Sequence, residues 1–486
     1  MTAAGSSRFR SDAAKLISGT VISQGIAIAS VPVLAWFFDP DAFGLAAVFT
    51  AVVLIIGVVA CLRYELALVL PERDEDACNV LAACLLFPLV VAALLIPIVL
   101  WVRQPLAAHW DQPALAELIW LIPIAILFHG WLAALSYWQT RKRRYVNQSV
   151  AKTAATFSQA SGSIAAGSLG HATGTVLVAF QLIGQLVSIF VLALTTWKND
   201  FQLFRATIHP SVIYQQIIKY RKFPIVDTWA ELLNIASSNL PILLLGYYFP
   251  ITVVGHYSLG HRLLNIPMSL VGRSMSQVFF QNASVAHREG NLCNLVTETA
   301  SYLFRLSLFP FLVIAIVGSD VFGLVFGTKW ETAGLFAQIL APWLLFQFLY
   351  VPMSNLLNVL QLQEMGLALS LLLFVSRVGA LIYGGMLGDP LVSMVLFSLF
   401  GCMIYAAFFG YLLRKSGVAI LLTAWNLLSS QKMNLCLIVV LATAKLSGSL
   451  GTLPMVGLAT VASIAYLLQV FAVGKFFAKA RTLLGG

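Results

Sequence analysis

Residues 81–101 read LAACLLFPLVVAALLIPIVLW, from Leu81 to Trp101 without a single charge. A helix rises ~1.5 Å per residue, so about 20 such residues cross the ~30 Å hydrocarbon core of a bilayer. The apolar residues do not alternate with polar ones, as the ~10-residue strands of a membrane β-barrel do. Leu367–Leu387 repeats the pattern, with Arg377 its only charge. Across all 486 residues, 60% are hydrophobic and 10% charged, and mean hydropathy is +0.89. Soluble domains carry roughly 25% charged residues. So much apolar surface needs a bilayer to cover it.

The reading is therefore all-α: a polytopic membrane protein with about fourteen transmembrane helices. The expected spans are 16–38, 44–62, 79–101, 115–138, 150–169, 174–197, 225–248, 254–279, 295–317, 334–358, 367–387, 391–413, 433–449 and 453–474. On a soluble chain a net charge of +10 would suggest nucleic acid. Here it reports topology. Of 29 basic residues, Arg103, Lys329 and Lys445 fall on the side opposite the N-terminus. Arg262, Arg273, Arg305 and Arg377 fall inside spans, and the rest lie on the N-terminal side. By the positive-inside rule both termini are expected in the cytoplasm. Residues 198–223 mix Lys219, Arg221 and Lys222 with Ile213, Ile217 and Ile218, which suits an amphipathic helix on the anionic inner leaflet.

Cys61, Cys78, Cys84, Cys293, Cys402 and Cys436 form no CxxC pair or zinc spacing, so neither a metal nor a disulfide is expected. No cleavable signal pattern precedes the first apolar helix, which should remain as a span. No nucleophile elbow, phosphate-binding Gly-rich loop or His-Glu-x-x-His occurs, which argues against an enzyme and leaves no cofactor expected.

An internal echo divides the chain. Val31-Pro32-Val33-Leu34 is followed by Phe37-Phe38 and Gly44, and Leu240-Pro241-Ile242-Leu243 by Tyr247-Tyr248 and Gly255. Two parallel repeats of six spans would follow, and transporters bind substrate between such repeats. The expected divisions are a lobe over 1–197, the connection 198–223, a second lobe over 224–413 and a trailing helix pair over 414–486.

Arginines inside spans are the sharpest chemical signal. A charge at the bilayer centre costs ~2.5–3.5 kcal/mol on insertion scales, so such residues face a cavity or a partner. Arg262 and Arg273 are eleven residues apart, about three turns, and would share one face of the eighth span, with Asn265 nearby. A guanidinium face binds phosphate or pyrophosphate oxygens bidentately. The alternative is a structural pairing, and Arg305 and Arg377 carry the same two readings. Asp227 and Glu231 lie one turn apart; they either couple transport to an ion or favour a helix N-terminus. Arg63-Tyr64-Glu65 and the run 71–76 read as a solvated elbow, from which Arg63 can still reach a cavity mouth. His256 and His261 read as core histidines. Pro32, Pro241, Pro267, Pro342 and Pro352 are expected to kink spans.

Three stretches carry a family resemblance: Phe38–Gly44 with Arg63–Pro71; Tyr220–Pro224, Leu240–Leu244 and Gly255–Phe280; and Phe326–Gly334. In these the chain resembles bacterial polysaccharide flippases of the Wzx type, in the multidrug/oligosaccharidyl-lipid/polysaccharide exporter superfamily. The resemblance implies two lobes of six spans around a cationic cavity that opens alternately to either side. It implies translocation of a polyprenyl-pyrophosphate-linked oligosaccharide across the inner membrane, with Arg63, Arg262 and Arg273 meeting pyrophosphate or acidic sugars. Polysaccharide polymerase and export machinery are the implied partners. A drug or small-solute antiporter of the same architecture, and a membrane glycan polymerase or acyltransferase, are the rival readings.

Overall fold

The computed structural model of the chain describes residues 3–109, 113–266, 268, 273–419, 428–429, 431–447, 451–463 and 466. Every regular element among them is helical. Among the described residues, eight helices are long and apolar enough to cross a membrane, and each of the fourteen expected spans overlaps a helix. The chain is a multi-pass, all-α membrane protein. It forms two compact units, Met1–Gly255 and His256–Gly486.

The first unit contains α1 (Ala3–Phe37), α2 (Pro40–Gly57), α3 (Tyr64–Ala67), α4 (Asp74–His109), α5 (Pro113–Ile119), α6 (Ile122–Arg141), α7 (Tyr145–Ser168), α8 (Gly174–Thr207), α9 (Pro210–Lys219), α10 (Thr228–Tyr248) and the start of α11 (Ile251–Leu264). α2 sits among α6, α8 and α10, while α1 packs on α7 and α7 on α8. Thr173 caps α8 by accepting the Val176 N–H at 3.4 Å. That helix continues past its apolar part to Thr207, so residues 198–207 of the expected connection extend a span, and only α9 is a separate amphipathic helix.

Side chains knit one end of this unit. Arg144 grips Asp200 bidentately at 2.6 and 2.9 Å, and Trp138 Nε1 donates to the same carboxylate at 2.9 Å. Asp74 accepts from Arg141 and Lys142 at 2.9 and 2.6 Å. Gln216 of α9 donates to Asp76 at 3.0 Å. Tyr64 donates to the Ile217 carbonyl at 2.9 Å. The basic run 141–144, read from sequence as a topology mark, is thus also a clasp.

At the start of α11, Gly255 lies against α2. A Cβ on Gly255 would collide with the Pro40 carbonyl, and one on Gly44 with the Ile251 carbonyl. Each glycine therefore seats on the carbonyl four residues before the other.

The second unit contains α12 (Arg273–Arg288), α13 (Leu292–Phe326), α14 (Glu331–Tyr350), α15 (Leu356–Val359), α16 (Gln363–Met386), α17 (Pro390–Lys415), α18 (Lys432–Leu446) and α19 (Thr452–Ser463). α14 is its most enclosed helix, packed on α13 and α17. Asp389 caps α17, accepting the Leu391 N–H at 2.8 Å. α18 and α19 pack on α13 through Ile438, Leu441 and Met455 against Phe309, Val313 and Val317, and Lys445 pairs with Asp320.

One expected span is interrupted. The tenth breaks at Pro352, which lies in a 3-10 turn after α14. Proline has no N–H to donate and its ring crowds the carbonyl four residues earlier. The eighth is described over α11 and α12; Pro267 and residues 269–272 between them lie outside the described residues, and with them the shared face expected for Arg262 and Arg273.

Candidate functional site

Where α2 ends, residues 58–63 turn back on themselves. Leu62 and Arg63 both adopt left-handed backbone, with φ of 51° and 61°. This conformation costs an L-residue roughly 1–2 kcal/mol, and such outliers persist only where surrounding packing holds them. Tyr64 supplies that hold: it is buried, stacked on Phe87 at 5.4 Å and bonded to Ile217. Anchored there, the turn presents Arg63 and Glu65 to a cavity of about 110 Å³. His129, Glu231, Leu54, Val58 and Ile235 complete most of its wall. Gly57 makes the room, since a Cβ there would lie 2.8 Å from the His129 ring.

Arg63 Nε donates to Asp227 Oδ2 at 3.1 Å, and its Nη1 lies 3.5 Å from Glu65 Oε1. Asp227 closes a π-helical turn over Phe223–Asp227 ahead of α10 and caps no N–H with its side chain. Glu231, one turn later, accepts from Asn234 at 3.3 Å. Arg63, Asp227 and Glu231 are therefore brought together, with more carboxyl than guanidinium between them. Arg63 here is a paired cation in acidic surroundings.

Glu65 departs from the sequence reading. The elbow is solvated at Glu72, Arg73 and Glu75, but Glu65 is 6% exposed, and its Oε2 has no hydrogen-bond partner among the described residues. Burial pushes its carboxyl above the usual carboxylate range, and the Asp227 and Glu231 charges add to the rise; its own backbone N–H and Arg63 pull the other way. Sequence reasoning missed Glu65 and His129 as cavity residues. The position of Glu65 beside Arg63, just past an apolar span, was the available signal for one; nothing local marked the other.

The remaining candidates lie in α11 and the second unit. Arg262, on α11, is exposed and makes no ion pair among the described residues. Asn265 donates to the His261 carbonyl at 2.8 Å, which engages its amide with its own helix. Arg273 opens α12, and its side chain lies outside the described residues. Arg305 is half-buried in α13, and its carbonyl accepts from Tyr466. Arg377 lies over the rings of Trp343 and Phe397 at 5.2 and 5.6 Å. His261 stacks between Tyr257 and Trp343 at 5.2 and 5.9 Å. Arg377 is thus held on aromatic faces, while Arg262 makes no such contact among the described residues.

The family described as "Polysaccharide biosynthesis protein" matches residues 33–334, well over half of the chain. The chain belongs to this family. The polysaccharide biosynthesis match takes in Arg63, Asp227, Glu231, Arg262, Arg273 and Arg305; Arg377 and the trailing helices lie beyond it. Among relatives, the succinoglycan biosynthesis transport protein ExoT of Rhizobium meliloti (strain 1021) is 23% identical over 381 residues, 76% of this chain and 73% of ExoT. In fold, this member of the family is similar to the lipid II flippase MurJ in an inward closed conformation. There the TM-score is 0.65 at 11% identity, covering 93% of this chain and 97% of MurJ. An inward-facing multidrug resistance MATE transporter of the MOP superfamily gives 0.63 at 14%, covering 83% and 98%. The fold is that of these carriers.

Proposed function

We propose that the protein is a flippase that carries a lipid-linked oligosaccharide, a polyprenyl-pyrophosphate glycan, across the inner membrane by alternating access. The observation that carries this reading is Arg262, an arginine near the end of α11, within an expected span, that makes no ion pair among the described residues. Such a group meets a diphosphate in bidentate fashion. Membership of the polysaccharide biosynthesis family supports a glycan cargo, and the succinoglycan named for ExoT suggests the repeat unit of an exopolysaccharide. Arg273 and Asn265 are further candidates for the same headgroup, with Arg305 and Arg377 in reserve.

The carrier lowers the barrier for drawing a polar head through hydrocarbon; no bond is made or broken. Both termini face the cytoplasm in this reading, and a polysaccharide polymerase and export machinery receive the cargo. Drug efflux by the same fold favours anionic cavity walls for cationic drugs, so the acidic cavity of the first unit keeps that reading second.

The test is a flipping assay with lipid-linked glycan in proteoliposomes. Arg262→Ala should weaken cargo binding by about tenfold to a hundredfold, the value of a charged hydrogen bond of ~1.5–3 kcal/mol. Unchanged transport by a folded variant would remove Arg262 from the cargo path.

A further inference from the structure

Three carboxyls stand round Arg63, and one of them, Glu65, is buried. Asp227 has 44% of its side chain exposed and holds the short bond to Arg63 Nε. Glu231 is half-buried and accepts from Asn234. Glu65 is enclosed; its Oε2 has no hydrogen-bond partner among the described residues, and its Oε1 reaches Arg63 only at 3.5 Å. A buried carboxylate with so few donors is poorly stabilised, and protonation removes the difficulty.

Its surroundings decide what can be exchanged there. Cys61 lies on the same cavity wall, and its thiol donates to the Cys84 carbonyl of α4 at 3.5 Å. From α6 come His129, on the same cavity wall, and Tyr137. From the π turn and α10 come Asp227 and Glu231. Arg63 is the one cation within ion-pair distance among the described residues. The cavity has room for about three waters at ~30 Å³ each, which supplies a route for a proton.

We infer that Glu65 is the proton-binding site of the carrier: its carboxyl takes up one proton from cavity water, and Arg63, until then shared between Glu65 and Asp227, is left to Asp227 alone. The step forms one O–H bond, moves no electrons to or from another group, and reverses when the proton leaves. Because Arg63 follows the end of α2 and Asp227 precedes α10, the exchange changes the tie between two helices that pack on each other. A proton that binds the two arrangements unequally shifts their populations. This inference rests on the reading of the protein as a carrier.

Two measurements separate the inference from that reading. Infrared difference spectra of the full chain in detergent, titrated with acid, report protonated carboxyls directly and need no cargo. A buried carboxyl should titrate above the ordinary carboxylate range in the wild type and in Asp227→Asn, vanish in Glu65→Gln and return in Glu65→Asp. A signal that survives Glu65→Gln, or none above the ordinary range, overturns the site. In proteoliposomes, one pH unit across the membrane should raise glycan flipping by up to about tenfold, the ratio of proton activities, and Glu65→Gln should lose that response. Flipping that ignores the gradient, or follows sodium instead, overturns proton coupling and spares the flippase. No flipping under any gradient overturns the flippase, while the infrared titration still decides Glu65.

Discussion

Glu65 shows what a single enclosed carboxyl does to a membrane protein outside the lipid. With its ionisation disfavoured by burial, the folded chain keeps this proton to higher pH than the unfolded chain, whose carboxyl titrates near ~4.3. Stability then falls as pH rises from the ordinary carboxylate range through the raised value, because the native state binds more protons there. Glu65→Gln should abolish that slope. Thermal melts of the two proteins in detergent should coincide at low pH and part as neutrality is approached, with the variant more stable. Parallel curves would mean that Glu65 is ionised without penalty. Arg63 was legible in the sequence as a residue at the end of an apolar span that could reach a cavity mouth. Asp227 was legible too, as one of two acids a turn apart. Their pairing was not, since it joins residues 164 positions apart through a left-handed turn that no local pattern announces.

Among the elements, the clasp made by Trp138, Arg144 and Asp200 joins the end of α6 and the turn after it to α8. Asp200 is 5% exposed, so removing its guanidinium strands a buried charge. Arg144→Ala should destabilise the first unit by about 3–5 kcal/mol, and Arg144→Lys should restore only part of this, because an ammonium cannot reproduce the two-pronged contact. Chemical denaturation followed by tryptophan fluorescence reads both, and equal stability of all three proteins would deny the clasp its role. Helix existence was the most readable feature of all: long uncharged stretches such as Leu81–Trp101 leave no other choice in a bilayer. Helix continuity was less readable. A proline within an apolar run kinks one span and ends another. Pro241 stays inside α10 and Pro342 inside α14, whereas Pro352 breaks its span. The outcome depends on which neighbours can receive the freed carbonyl, and a pattern along one chain does not contain them.

For the molecule as a whole, the seat shared by Gly44 and Gly255 fixes how closely α2 and the start of α11 approach. Gly44→Ala or Gly255→Ala should each cost about 1–3 kcal/mol through overpacking, measured as a lowered melting temperature; a variant that melts like the wild type would mean the approach is slack. The sequence echo from Pro32 to Gly44 and from Pro241 to Gly255 singled out these two glycines before any contact between them was visible. What it did not reveal is that they face each other's backbone. That detail bears on heredity. At Gly57 the obstacle to a methyl group is the His129 side chain, so a defect there has a remedy at a second position, where a smaller residue makes room. At Gly44 and Gly255 the obstacles are carbonyl oxygens, which every amino acid carries. A selection for restored function should therefore yield second-site changes at His129 for Gly57→Ala, but only true revertants for Gly44→Ala and Gly255→Ala: two positions from which the lineage has no mutational exit.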